Sequence, residues 1–130
     1  MKQLDCVAFI LIENNQFLVE KRKLSKEVDP GARTIPGGHI EDGESQEEAL
    51  YREIYEELGI VPQNIKYVCS LLHKTKELHK IHYFLIESWE GKILNNEAES
   101  LQWLPLEEFN ILDVDVDRVA FSEYLRVYKS

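Results

Sequence analysis

Apolar and polar positions alternate in blocks along the chain. The first apolar block, Cys6–Ile12, carries no charge and has polar residues on both sides. A block of this kind predicts a strand buried on both faces. Glu13–Gln16 is a turn, and the apolar character returns over Phe17–Arg22, which predicts a hairpin. Lys23–Ala32 is polar and contains Asp-Pro-Gly, a turn signal. Arg33–Glu44 is a second irregular stretch, with a proline and three glycines. A helix over 45–58 follows. Ser45 and Glu48 give it an S-x-x-E capping box, and Gly59 gives it a stop.

Two longer strand-like runs, Asn64–Lys74 and Lys80–Trp89, flank the polar link Thr75–His79. A short strand over Leu101–Leu106 ends at Pro105. The chain closes on a helix over Asp117–Tyr128, with Asp117 as the expected N-cap and Val119, Ala120, Tyr124 and Val127 as its expected inner face. Strand pairs mixed with two helices predict an α/β (α+β) sandwich, a mixed central sheet between helices. A length of 130 residues without linker, repeat or low-complexity stretch predicts one domain over 1–130.

Placed on a wheel at about 100° per residue, the first helix divides sharply. Leu50, Tyr51, Ile54, Tyr55 and Leu58 take one side and are expected to pack inward. Glu53, Glu56 and Glu57 share an arc of about 100° elsewhere, with only Ala49 among them. Like charges at such spacings destabilise a helix by roughly 0.2–0.5 kcal/mol per pair. A solvated acidic face is the simple explanation. Two features argue against it. The helix has no lysine to pair with these acids, leaving Glu48–Arg52 as the only well-ordered pair, and the glycine-rich loop before it can bring carbonyl oxygens to the same place. Carboxylates, a carbonyl and waters suit a hard cation such as Mg²⁺ or Mn²⁺. Such an ion converts the repulsion into coordination.

Charge narrows the partners. The formal net charge is −9 and the pI about 4.9. A long nucleic acid is therefore excluded as partner, because duplex binding needs a basic stripe. A small phosphorylated ligand is not excluded, since a bound divalent ion inverts the local field. No segment is long enough to span a membrane, and the N-terminal apolar run lacks a cleavage site, so no membrane partner and a cytoplasmic location are expected. Cys6 and Cys69, the only cysteines, read as buried free thiols rather than a disulfide framework.

The residues from Gly38 to Ile60 resemble a known motif. Gly38, five residues, Glu44, seven residues, Arg52-Glu53-Ile54, one residue, Glu56-Glu57, one residue and Gly59-Ile60 look like a complete Nudix box. With residue frequencies of roughly 5–10%, a chance match at a given start is on the order of 10⁻⁹. The order of elements around the box also looks like the whole family domain, an α/β/α sandwich. The resemblance implies a hydrolase that cleaves the pyrophosphate linkage of a nucleoside diphosphate joined to another group, using Mg²⁺ or Mn²⁺. By position in the motif, Glu56 and Glu57 are implied as metal ligands with the carbonyl of Gly37. Glu53 is implied as a ligand or general base, and Arg52 and Glu44 as a pair fixing loop to helix. Gly38 is implied beside the substrate.

The family often adds an acid from a later strand or loop. Glu99 is preferred over Glu97 for its spacing to Trp103, although both are open as an exposed acidic loop. Arg22 matches a position that often contacts substrate phosphate, and is equally readable as a solvated strand end. His39 is assigned no role, and His73, His79 and His82 show no ligand spacing. Trp89 and Trp103 read as packing, and Tyr83 or Phe84 as candidates for stacking on a base. Markers of the ADP-ribose, dinucleoside polyphosphate and coenzyme A relatives are absent. The expected substrate is then a (d)NTP or an oxidised one such as 8-oxo-dGTP, as in the MutT-like group. Another nucleotide derivative, such as ADP-ribose or a dinucleotide, is the alternative. Rival classes are a nucleotide-binding module without hydrolysis, disfavoured by the intact carboxylates, and an isoprenoid diphosphate isomerase, disfavoured by the lack of a motif around either cysteine. Family members are often homodimers, and no residue here specifies an interface.

Overall fold

The computed structural model describes residues 2–129. Strand β1 (Gln3–Glu13) runs through the centre. Its side chains alternate between two cores. Val7, Phe9 and Leu11 enter one, while Ala8, Ile10 and Ile12 enter the other. Burial on both faces explains why the block reads as continuously apolar. The strand starts earlier than its apolar run, because β1 pairs in parallel with β6 (Leu78–Glu90) from Gln3↔Leu78 to Leu11↔Ile86. Backbone pairing does not require apolar side chains at residues 3–5.

The expected hairpin forms between β1 and β2 (Gln16–Lys21). Its turn holds Asn14 at φ 52° and Asn15 at φ 57°, the conformation of a two-residue primed turn. The glycine-rich stretch contributes two short strands, β3 (Arg33–Thr34) and β4 (Gly37–His39), which pair with β2 and β1 respectively. β5 (Val61–Lys74) pairs antiparallel with β6, and β7 (Ser100–Pro105) antiparallel with β2. The strand order is β3-β2-β1-β6-β5, with β4 on β1 and β7 on β2. This is the expected mixed sheet, and β1–β6 is its parallel pair.

The helices α1 (Gln46–Leu58) and α2 (Asp115–Tyr128) cover opposite faces. The Ser45–Glu48 capping box of α1 is complete on both sides, and Gly59 takes the left-handed conformation at φ 70°. A six-residue 3₁₀ helix over Leu106–Ile111 was not anticipated.

Three side-chain expectations are corrected. Tyr51 and Tyr55 are exposed, at 40% and 62%. Ala49, Leu50, Ile54, Leu58 and Glu57 form the buried side of α1 instead. On α2, Val119 and Val127 are about half exposed, and the buried stripe is Asp117, Ala120, Phe121 and Tyr124. This i, i+3, i+4, i+7 pattern includes Asp117 because the helix begins two residues before it. The N-cap is Val114, without a side-chain bond.

Asp117 has a different task. Its carboxylate accepts the Ile35 N–H at 3.0 Å and the Tyr83 hydroxyl at 2.6 Å. It joins α2, β6 and the segment after β3. Tyr83 is fully buried and Phe84 nearly so, so neither is free to stack on a base. Trp89 and Trp103 stack on each other at 6.2 Å between ring centres and pack on the α1-side core. Tyr83→Phe removes one of two donors to a buried carboxylate. It is expected to cost about 1–3 kcal/mol, read as a lower urea midpoint. An unchanged midpoint contradicts the account.

Candidate functional site

The carboxylates of α1 meet the glycine loop at a cavity of about 460 Å³, within the usual range for a small-ligand site. Arg52 organises this corner. Its Nε and one terminal nitrogen donate to the two oxygens of Glu44 at 2.6 and 2.9 Å. That second terminal nitrogen also reaches the His39 carbonyl at 2.9 Å, while the first donates to Glu53 at 2.8 Å and Glu56 at 3.0 Å. A planar guanidinium suits such a fork. The bonds from Arg52 hold Glu44 well below the usual carboxylate range, at about 2, helped by the Glu41 N–H. Loop and helix are thus one rigid unit.

The glycines are needed for close approach. A β-carbon on Gly38 would overlap the Glu53 carboxylate, and one on Gly37 would overlap the Val7 carbonyl of β1. β4 therefore lies flat between β1 and α1. Glu53 is half-buried, Glu56 exposed and Glu57 buried.

Glu57 is the unusual group. Only 5% of it is exposed, and its Oε2 is buried without a hydrogen-bond partner. Burial, then the charges of Glu20, Glu53 and Glu97, raise its pKa far above the ordinary 4.5. Glu20, from β2, is also buried and raised, chiefly by burial and against the pull of Arg22. Arg22 is half-buried, 3.6 Å from Glu20, and its Nε donates to the Val28 carbonyl at 2.8 Å. It lines the cavity.

Of the later acids, Glu97 lines the cavity and Glu99 is absent from its lining. Glu97, the other candidate, is thus the one of the two that borders the cavity. The loop after β6 is fastened to the end of α1. The Leu94 N–H donates to the Leu58 carbonyl, the Asn96 N–H to the Glu57 backbone carbonyl and the Asn96 side-chain amide to the Glu56 backbone carbonyl. Glu97 comes next and is carried to the cluster. The Glu99 N–H already donates to the Lys21 carbonyl, where β7 joins β2.

Glu20 and Asp117 were missed from sequence, and each left a signal. Glu20 is a charge inside a run of buried strand residues, and Asp117 an acid on an apolar helix stripe. Asp117 also lines the cavity, and complete burial lifts its pKa to about 6. Of the expected thiols, Cys6 is buried and Cys69 half-buried, and both are free.

Comparison with known proteins accords with this geometry. The model of the NUDIX domain matches residues 2–125, and the chain belongs to that family as a Nudix hydrolase. An 8-oxo-dGTP diphosphatase of Escherichia coli is 33% identical over 115 residues, covering 87% of this chain and 88% of the relative. A CTP pyrophosphohydrolase of the same organism is 30% identical over 109 residues, covering 83% and 80%. The fold matches the crystal structure of a MutT NUDIX hydrolase from Burkholderia pseudomallei, with TM-score 0.85, 23% identity and coverage of 95% and 98%. Among the described residues no helix is long and apolar enough to cross a membrane.

Two outcomes test the site. Gly38→Ala is expected to displace the Glu53 carboxylate, a side-chain end, and to lose most activity with little loss of stability. Gly37→Ala meets backbone and is expected to lower the melting temperature by several degrees. Equal melting losses in both would contradict this division. The second outcome concerns pH. Glu57 is raised in the folded state, so metal-free folded protein binds more protons than unfolded protein above about 4.5. Stability should be full below that value and fall as pH rises towards the raised value. Glu57→Gln should flatten the decline between about pH 5 and about pH 9. A wild-type melting temperature independent of pH would remove the basis for it.

Proposed function

We propose that this Nudix pyrophosphohydrolase acts, as a single catalytic domain, on nucleoside triphosphates with Mg²⁺ or Mn²⁺. Oxidised dNTPs such as 8-oxo-dGTP are included, and the products are a nucleoside monophosphate and pyrophosphate. The observation that carries this reading is the buried, unpartnered oxygen of Glu57 within a cluster of carboxylates. Arg52 serves Glu53 and Glu56 and Arg22 stands beside Glu20, but among the described residues no cation pairs with the buried Glu57 oxygen. The donor set is all oxygen, which fits a hard divalent ion. Glu53, Glu56, Glu57 and the Gly37 carbonyl would hold it, joined by Glu97, with Glu20 behind them. Bound there, such an ion lowers the pKa of a water ligand and neutralises phosphoryl oxygens.

The chain's own residues do the remaining work. Glu53 is tied to Arg52 on one oxygen and presses on Gly38, so its direction is fixed. It is the group we assign to receive a proton from the attacking water, or to serve as a ligand if another carboxylate does so. Arg52 and Glu44 position the loop and touch no reacting atom. Arg22, with Lys23 and Lys26 on the cavity wall, offers cationic contacts to the phosphate chain. The named curated relatives differ in base, and their names share a nucleoside triphosphate. That common part supports a triphosphate here.

In the step itself, water oxygen bonds to the inner phosphorus. The bridging P–O bond then breaks and pyrophosphate leaves with the electron pair. In ¹⁸O-water with Mg²⁺ and a panel of dNTPs including 8-oxo-dGTP, label is expected in the monophosphate. Label in pyrophosphate would move the attack to the adjacent phosphorus. Release of labelled orthophosphate, or turnover of ADP-ribose alone, would overturn the substrate reading and leave the metal site standing.

A further inference from the structure

A second cluster of ligating atoms lines the same cavity and takes no part in the reaction above. It consists of Cys6, His39 and His79. Sequence spacing hides it, because the residues come from three strands. Sheet register brings them together. Cys6 of β1 pairs with His39 of β4, so both side chains share one face. His79 of β6 pairs with Leu4, two residues before Cys6, and two-residue periodicity puts it on that face too. His73 of β5 pairs with His79 and extends the row across four adjacent strands.

The atoms converge as well as the strands. One ligand atom from each of Cys6, His39 and His79 lies within 4.8 Å of the others. Cys6 Sγ is 3.8 Å from His79 Nδ1. A tetrahedral zinc with Zn–S near 2.3 Å and Zn–N near 2.0 Å separates sulfur from nitrogen by roughly 3.5 Å. His79 Nε2 is 3.0 Å from the Thr75 hydroxyl. With the ring proton on Nε2, facing Thr75, the Nδ1 lone pair faces the thiol, and an outer hydrogen bond of this kind commonly orients a metal-ligating histidine. His73 is held by Asp29 at 3.0 Å and stands behind the group. The bland account is a thiol donating weakly to an imidazole in a polar cavity wall.

We infer that Cys6, His39 and His79 form a binding site for a soft or borderline divalent ion such as Zn²⁺, separate from the carboxylate site for hard ions. One thiolate and two imidazoles are a donor set that Mg²⁺ does not favour and Zn²⁺ does. Three protein ligands leave the fourth position to water or to a ligand in the cavity. On binding, the Cys6 thiol gives up its proton to solvent as the sulfur–metal bond forms. Burial holds that thiol up at about 11, so uptake of the ion should release a proton at neutral pH.

Cobalt distinguishes the two sites, because only a thiolate gives an intense charge-transfer band in the near ultraviolet. Chelator-treated full-length protein titrated with Co²⁺ is expected to develop that band at one ion per chain. Saturating Mg²⁺ should leave it, and Zn²⁺ should abolish it, following their order of affinity. Cys69→Ser and Glu57→Gln should retain it. Cys6→Ser should lose it, and His79→Gln should weaken Co²⁺ binding at least tenfold. A wild-type protein without the band, or a band that survives Cys6→Ser, overturns the site. Neither result bears on hydrolysis of a triphosphate, which rests on the carboxylates of α1.

Discussion

Positive charge is scarce where this fold buries its acids, and the arrangement of the site follows from that scarcity. Arg52 is the nearest cation to the carboxylates of α1, and its nitrogens are committed to Glu44, the His39 carbonyl, Glu53 and Glu56. Nothing is left for Glu57, one turn further on and inside the protein. Arg22 approaches Glu20 on the far side, yet burial still dominates the shift of that acid. A buried carboxylate with an unpartnered oxygen and no cation beside it is among the costlier features a domain can keep. Its cost is acceptable only if the charge is relieved by a proton or by a cation. Burial and the neighbouring acids favour the first at Glu57 in the metal-free protein. The second is the condition that the proposed reaction requires.

The same scarcity explains the rigidity around it. Gly37 and Gly38 let β4 lie against β1 on one side and against Glu53 on the other. The capping box at Ser45 fixes where α1 begins, and the loop after β6 is bonded to where it ends. A helix held at both ends presents Glu53 and Glu57 at constant depth. Loose carboxylates would swing apart, pair with solvent and relieve their mutual repulsion.

The fold and the box were largely legible in the sequence because they rest on local signals. The capping box, the Asn-Asn turn and the doubly apolar β1 each declare themselves within a dozen residues. The misreadings have a common physical origin in long-range contacts. Tyr51 and Tyr55 belong to the apolar side of α1 on a wheel, but the buried side is Ala49, Leu50, Ile54, Glu57 and Leu58. Asp117 has the composition of a cap, and its role as an acceptor for Tyr83 depends on a residue 34 positions away. Glu97 and Glu99 are equivalent in sequence, and only the docking of Asn96 on the end of α1 brings Glu97 to the cavity wall. The Cys6–His39–His79 group is invisible to spacing altogether, since only strand register assembles it.

That assembly explains how one cavity can offer two donor sets. The hard set comes from one helix, where spacing of three and four residues stacks like side chains on a single face. The soft set comes from a sheet, where pairing across strands collects unlike residues from distant positions. β4 belongs to both. Gly37 and Gly38 serve the carboxylate side, and His39, the next residue, pairs with Cys6 on the sheet. The His39 carbonyl, meanwhile, accepts from Arg52. The two sets meet at neighbouring residues of β4, while the chemistry of their atoms keeps their preferred ions apart.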